Sequence, residues 1–111
     1  DLEINFELGS YTLQQDGRNQ VAALAQVMSR DEFRNSTFNI VGHTDTIGTA
    51  ESNLILSRQR AQAIVNMLNR DYGIPLDQMK ATGAGQWVLK VPILGNVPAN
   101  RRVEIVVTPR R

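Results

Sequence analysis

The chain has 111 residues, of which 41% are hydrophobic and 21% charged, with a formal net charge of +1 and no cysteine. These values describe one ordinary globular domain, and the missing cysteines exclude disulfides and thiolate metal sites. The nearly balanced charge gives no general attraction to nucleic acid, and no apolar run reaches the ~18 residues needed to cross a bilayer.

The chain begins with apolar and polar residues in alternation, which predicts a half-buried strand over residues 2–7. The pair Gly9 and Ser10 interrupts this pattern. Residues 12–15 fit a capping box, which predicts a helix that begins there or as late as Asp16. Its apolar stripe has helical spacing and consists of Val21, Leu24, Ala25 and Met28.

The middle of the chain carries a short apolar segment and then a long helical pattern. Residues 37–41 predict a strand that is buried on both faces. The helix is predicted over residues 51–70 and ends near Gly73 and Pro75, because glycine and then proline terminate helices.

The last third of the chain is mostly irregular. Residues 76–81 fit either a third strand or a short helix followed by a strand, residues 83–100 are irregular, and residues 103–107 alternate as a last strand. The order of elements predicts an α/β (α+β) sandwich of the form βαβαβ-β. Its first two strands would run parallel, and the last strand would add an antiparallel pairing to give a mixed sheet.

The sequence Gly-His-Thr-Asp-Thr-Ile-Gly at residues 42–48 places Asp45 just past the second predicted strand. Open α/β sheets usually bind ligands at the carboxyl ends of their strands. On a helical wheel Arg60 falls within the apolar side of the next helix, with Asn53 beside it. A buried guanidinium needs a carboxylate, either from the protein or from a ligand. An internal Asp45–Arg60 ion pair and a site for a ligand with an ammonium and a carboxylate both satisfy this pattern.

Four motifs carry a resemblance to a known family, and they span about residues 4–107. They are residues 42–48, then Asn53 with Leu56-Ser57 and Arg60-Ala61, then residues 81–85 (Ala-Thr-Gly-Ala-Gly), and finally residues 100–105 (Asn-Arg-Arg-Val-Glu-Ile). In order and spacing the chain resembles the OmpA-like peptidoglycan-binding domain. That domain ends outer-membrane protein A, forms the body of the peptidoglycan-associated lipoprotein and recurs in flagellar stator proteins.

The resemblance implies a ligand and a role for each matched residue. The ligand is peptidoglycan, held at the meso-diaminopimelate of its peptide stem. Asp45 matches the aspartate that receives the ammonium, and Arg60 matches the arginine that holds the carboxylate. Asn53 and Leu56 match residues that line the cleft.

Three further residues complete the implied site. Thr44 would help through its backbone or hydroxyl, and Arg101 matches an arginine at the rim that meets another ligand carboxylate. Its neighbour Arg102 is predicted to face outward from the last strand.

The chain departs from the family's pattern in two segments. Gly9 occupies a loop position where many members carry Asp or Asn, so any contact there would come from the backbone amides of Gly9 and Ser10. Residues 86–95 replace the family's usual polar loop with apolar residues that either plug the core or form an exposed contact patch. Core packing is the favoured prediction for Trp87.

No catalytic motif accompanies these features, so we predict a binding domain without cofactor, metal or enzymatic activity. A structural role is predicted for His43, the single histidine. The resemblance implies a periplasmic domain, 1–111, excised from a longer protein that is anchored in the outer membrane or an envelope complex. Its partner would be peptidoglycan, with no nucleic acid and no membrane insertion by the domain itself. The alternative is a protein-interaction module that uses the segment from Trp87 to Leu94.

Overall fold

A computed structural model describes residues 3–109 as two helices packed on one four-stranded sheet. The strands are β1 (Glu3–Asn5), β2 (Ser36–Gly42), β3 (Met79–Gly83) and β4 (Arg102–Pro109), and the helices are α1 (Gln15–Met28) and α2 (Ala50–Tyr72). Three short 3₁₀ turns lie at Asp31–Phe33, Leu76–Gln78 and Pro98–Asn100. The predicted α/β class is confirmed; residue 2, where the first strand was predicted to begin, lies outside the described residues.

The sheet has the strand order β1-β4-β2-β3. β4 pairs antiparallel with both β1 and β2, while β2 pairs parallel with β3. The first two strands therefore run in the same direction, as predicted, but β4 lies between them. The predicted mixed sheet is confirmed, and its last strand is central.

The ends of the two helices show one wrong prediction and one confirmed one. The capping box at residues 12–15 does not form, because Gln14 occupies the N-cap of α1 without a side-chain hydrogen bond. The N-cap of α2 is Thr49, whose hydroxyl accepts a hydrogen bond from the Ser52 amide (3.0 Å). Gly73 ends α2 with φ +69°, a left-handed conformation that favours glycine, so the predicted terminator is confirmed.

The helices cover only one face of the sheet, and this determines the burial of its strands. Along β2 the residues alternate between buried and half-buried, so the prediction that both faces are buried is wrong. Residues 76–83 adopt the second of the two predicted forms, a 3₁₀ turn followed by β3. The core between the layers includes Val21, Leu24, Phe38, Ile40, Ile64, Leu68 and Val103.

Small residues bring α2 very close to the carboxyl ends of β2 and β3. A Cβ on Gly42 would lie 1.9 Å from the Ser57 carbonyl oxygen, and one on Gly83 would lie 2.6 Å from the Ser57 hydroxyl. The Ser57 hydroxyl also accepts a hydrogen bond from the Gly85 amide (2.9 Å). This close approach places the first turns of α2 against the loop that follows β2.

Candidate functional site

A cleft of about 440 Å³ opens at the carboxyl end of β2. The loop after β1, the loop after β2, α2 and the residue before β4 form its walls. Seven of the eight residues predicted for the site line it: Gly9, Thr44, Asp45, Asn53, Leu56, Arg60 and Arg101. The eighth, Ser10, is not among the lining residues, but its carbonyl contacts Arg60. The topology therefore brings together residues that are up to 92 positions apart in the sequence.

Arg60 is fully buried at the base of the cleft and bonds to backbone rather than to a carboxylate. It donates from Nε to the Ser10 carbonyl (2.8 Å), from Nη1 to the His43 carbonyl (2.9 Å) and from Nη2 to the Glu7 carbonyl (3.0 Å). Its guanidinium also lies 5.2 Å from the centre of the Phe6 ring. These contacts fix the charge in place without neutralising it.

Asp45 pairs with Arg101 and not with Arg60. Its Oδ2 accepts from Arg101 Nη1 (2.9 Å), and its Oδ1 accepts from the Ile47 amide (3.1 Å). Within residues 3–109 no Arg60–Asp45 pair lies within 4.0 Å, so the internal pair considered from the sequence does not form. Arg101 is only 7% exposed and also donates to the Phe6 carbonyl, so its predicted place at the rim is wrong.

The cleft holds two guanidiniums and one carboxylate. Burial, first, and the nearby Arg101 charge lower the pKa of Arg60 to about 10, and the Asp45 carboxylate offsets part of this decrease. Arg60 therefore remains charged at neutral pH in a place where a further positive charge is unfavourable. An anion entering the cleft would be stabilised by this imbalance.

The polar groups of Thr44 and Asn53 shape the loop around Asp45. The Thr44 hydroxyl donates to the Asp45 carbonyl (2.8 Å), and its amide donates to the Gly85 carbonyl (2.9 Å). Asn53 donates from Nδ2 to the Ile47 carbonyl (2.9 Å) and to Gln86 Oε1 (2.8 Å). Within the described part of the chain, Asn53 Oδ1 accepts no hydrogen bond, so it remains free for a donor.

The loop after β1 was predicted to contact a ligand through the backbone amides of Gly9 and Ser10, and the structure gives Ser10 a different role. Gly9 lines the cleft with φ +67°. The Ser10 amide already donates to the Glu7 carbonyl (3.2 Å), and the Ser10 carbonyl accepts from Arg60. Ser10 therefore supports Arg60 through its carbonyl, and its amide is not free for a ligand.

Apolar side chains surround the cleft mouth, and sequence reasoning identified only half-buried Leu56 among them. The others are Leu8, Ile47 and Ile55, which are 44–51% exposed. Ile47 belongs to the motif at residues 42–48, and its position two residues after Asp45 could have indicated that it lines the cleft. Gln86, which holds Asn53, lies 33 positions away in an irregular loop and had no such signal.

Trp87 is 71% exposed, so the predicted core packing is wrong. Its neighbours in the loop are also exposed, with Val88 at 53%, Ile93 at 59% and Leu94 at 79%. The loop is held nonetheless by one side-chain and one backbone hydrogen bond: Asn96 Oδ1 accepts from Arg101, and the Gly95 amide donates to the Thr46 hydroxyl (2.6 Å). The apolar residues thus form an ordered, exposed patch.

Arg102, the first residue of β4, was predicted to face outward, and this prediction is wrong. Arg102 is 2% exposed, and it forms ion pairs with Glu104 of the same strand and with Glu3 of the neighbouring strand β1. His43 is buried at the end of β2. Within residues 3–109, no cluster of three potential metal-ligating side chains occurs, and no helix has the length and hydropathy needed to span a membrane.

Comparison with known proteins extends these observations. The model of the OmpA family matches residues 5–104. The probable lipoprotein YiaD of Escherichia coli K12 is 32% identical over 111 residues, which covers 96% of this chain but only 48% of that protein.

Two solved structures support the same assignment. The peptidoglycan-associated lipoprotein of Burkholderia pseudomallei is 28% identical, with a TM-score of 0.82 over 96% of this chain and 89% of that one. The C-terminal domain of Helicobacter pylori MotB is 26% identical, with a TM-score of 0.84 over 96% and 83%. The motifs, the fold and these likenesses agree, and the chain belongs to the OmpA family.

Proposed function

We propose that this domain binds peptidoglycan non-covalently by holding the meso-diaminopimelate of the peptide stem in the cleft. It would thereby attach an envelope protein to the cell wall, from the periplasmic side of an outer membrane. The membrane attachment itself would come from a segment outside this chain. The names of its relatives, which include a peptidoglycan-associated lipoprotein and an outer membrane porin, support this setting.

The observation that carries the proposal is the fixed charge at the base of the cleft. The cleft has two guanidiniums, Arg60 and Arg101, but one carboxylate, Asp45, which pairs with Arg101; all three residues are at most 7% exposed. Burying charge in this way is costly unless a partner compensates it. A ligand carboxylate would compensate the excess positive charge, and an ammonium on the same head group would be held by Asp45.

The free hydrogen-bonding positions match such a head group. The ammonium would approach Asp45, whose oxygens keep unused lone pairs, and the free Oδ1 of Asn53. The carboxylate would approach the Nη2 group of Arg101, which is unbonded within residues 3–109, and the charge of Arg60. The methylene chain of the ligand would pack against Leu56 and Ile47 at the mouth.

A single head group makes few contacts, so the affinity of one domain should be modest. Association costs several kcal/mol of lost translational and rotational freedom before any contact stabilises the complex. Firm attachment would then come from membrane tethering or from several domains acting on one polymer.

A second candidate is an interaction module that uses the patch from Trp87 to Leu94 and does not bind the wall. The exposure of Trp87 and Leu94, at 71% and 79%, favours this alternative. Substitution of Trp87 or Leu89 would then abolish partner binding, whereas changes at Asp45 or Arg60 would not.

Calorimetric titration of two stem peptides tests the proposal without altering the protein. One peptide contains meso-diaminopimelate, and the other contains lysine, which has the ammonium but lacks the side-chain carboxylate. We expect saturable heat with the first and binding at least about tenfold weaker with the second, because one charged hydrogen bond contributes roughly 1.5–3 kcal/mol. Equal binding of both peptides would contradict the role of the arginines, and no heat from folded protein would favour the second candidate.

Pull-down with isolated cell-wall sacculi then assigns the residues. Asp45→Ala should abolish binding, while Asp71→Ala, at an exposed aspartate that pairs with Arg70 at the far end of α2, should leave it unchanged. Arg60→Ala should also abolish binding. Its matched control is Arg58→Ala on the exposed side of α2, which should leave binding unchanged. Loss of binding in the controls as well would show that the effect is not specific to the cleft.

A further inference from the structure

His43 has a buried imidazole with unusual surroundings. The residue is 3% exposed, and neither ring nitrogen has a hydrogen-bond partner within residues 3–109. Buried polar atoms are nearly always paired, so an unpaired ring needs a physical explanation. A neutral imidazole tolerates this position better than an imidazolium, because the groups near the ring offset the burial of a charge only in part.

The charged groups around the ring do not offer it a free counterion. Glu104 Oε1 lies 3.7 Å from His43 Nε2, but Arg102 already donates to that same oxygen from Nε (2.6 Å). On β1, Glu3 lies 3.5 Å from Arg102 Nε and also binds Lys90 of the loop (2.5 Å). Protonation of His43 would therefore add a second cation beside Arg102, whose carboxylates are already engaged.

The backbone of His43 connects this ring to the cleft. Its carbonyl accepts the 2.9 Å hydrogen bond from Arg60 Nη1, and its amide donates to the Arg102 carbonyl (2.7 Å). Asp45 follows two residues later. A movement of His43 would thus disturb the anchor of Arg60 and the position of Asp45 together.

We propose that neutral His43 is a positioning residue of the cleft, and that its protonation releases the ligand by displacing the ring and the backbone that holds Arg60. This proposal rests on the proposed binding of the peptide stem. The domain would hold the wall at neutral pH and release it as the surroundings become acidic.

The direction of the pH effect follows from the ring's environment. Burial, first, and the Arg102 charge lower the pKa of His43 below its ordinary value of 6.5, and Glu104, Glu3 and the Val88 carbonyl offset this in part. The ligand binds the neutral form, so its affinity should be constant above that lowered pKa. Below it, the affinity should fall by about tenfold per pH unit, the limit for one linked proton.

The test compares wild type with His43→Phe, which fills a similar volume and cannot be protonated. Affinity for the diaminopimelate stem peptide is measured by calorimetry between pH 5 and 7.5, and the His43 ring is titrated by NMR with and without peptide. The chain has one histidine, so the ring signal is unambiguous. We expect an acid loss of affinity in wild type that is absent in the variant, and a lower His43 pKa in the complex. His43→Gln replaces His43→Phe if the latter does not fold.

Three results separate the hypotheses. The same pH dependence in wild type and variant, or a His43 pKa that the peptide does not change, would overturn the switch while leaving the proposed function intact. Absence of peptide binding at pH 7.5 in folded wild type would overturn the proposed function, and the switch with it. A His43 pKa at or above 6.5 in the free protein would contradict the buried neutral ring whatever the binding result.

Discussion

Neutralising Asp45 should separate its role in binding from its role in folding. Asp45→Asn keeps the shape of the side chain and an oxygen that accepts from the Ile47 amide, but removes the negative charge. At an effective dielectric constant of about 20, two unit charges ~4 Å apart attract by roughly 4 kcal/mol. Desolvation of the ligand ammonium offsets part of this, so we expect a loss of about 2–4 kcal/mol, or roughly 30- to 1,000-fold in Kd.

The same substitution leaves the Arg101 guanidinium buried without its counterion. Removal of one partner from a buried pair typically costs about 3–5 kcal/mol of stability. Arg101 keeps its hydrogen bonds to the Phe6 carbonyl and to Asn96, which places the expected cost near the lower value. A domain of this size has a free energy of unfolding of about 5–15 kcal/mol, so the variant should remain folded.

The double variant Asp45→Asn/Arg101→Gln provides the control, because it restores a neutral, hydrogen-bonded pair. Its melting temperature should recover relative to Asp45→Asn, whereas its affinity for the diaminopimelate peptide should not. The assays are thermal unfolding by circular dichroism and calorimetric titration at the same salt concentration. Peptide binding by either variant with the wild-type Kd would refute the assignment of Asp45 to the ligand.

Three further predictions follow from packing and protonation. Gly42→Ala should lower the free energy of unfolding by about 3 kcal/mol, because its Cβ would overlap the Ser57 carbonyl. The control is Gly17→Ala in α1, whose Cβ would meet a flexible side chain and should change the free energy of unfolding by less than about 1 kcal/mol. Urea denaturation measures both. Because the folded-state pKa of His43 is lowered, its contribution to stability is complete above pH 6.5 and decreases as the pH falls below that value; the melting temperature of His43→Phe should lack this decrease. Trp87→Ala should change stability by no more than about 0.5 kcal/mol, and a larger loss on denaturation would contradict the exposed position of the ring.

The fold was largely predictable because its elements have strong local signals. The periodicity of α2 and its Gly73 terminator correctly predicted a helix from about residue 51 to 70. The sequence also placed Asp45 just past β2, since a strand followed by a polar turn defines that position. The central place of β4 was not predictable, because strand order depends on long-range pairing that no local pattern specifies.

The sequence brought together residues that line one cleft, but it did not predict how their charges pair. Helical periodicity correctly buried Arg60, but it could not show that three carbonyls from residues 7, 10 and 43 would surround the guanidinium. Arg101 comes after a long irregular segment, so neither its burial nor its contact with Asp45, 56 positions away, had a local signal. Trp87 was assigned to the core from the general burial of tryptophan, but it lies in an irregular loop and is 71% exposed.

The way Arg60 is held also bears on how the cleft would work. Its three carbonyl partners belong to the loop after β1 and to the end of β2, so the guanidinium joins these segments to α2 without a ligand. A cation that is already positioned and desolvated loses little further freedom when an anion arrives. Specificity would then come from the excess positive charge of two buried guanidiniums over one carboxylate, and not from the overall charge of +1. Salt in the solvent screens such buried charges poorly.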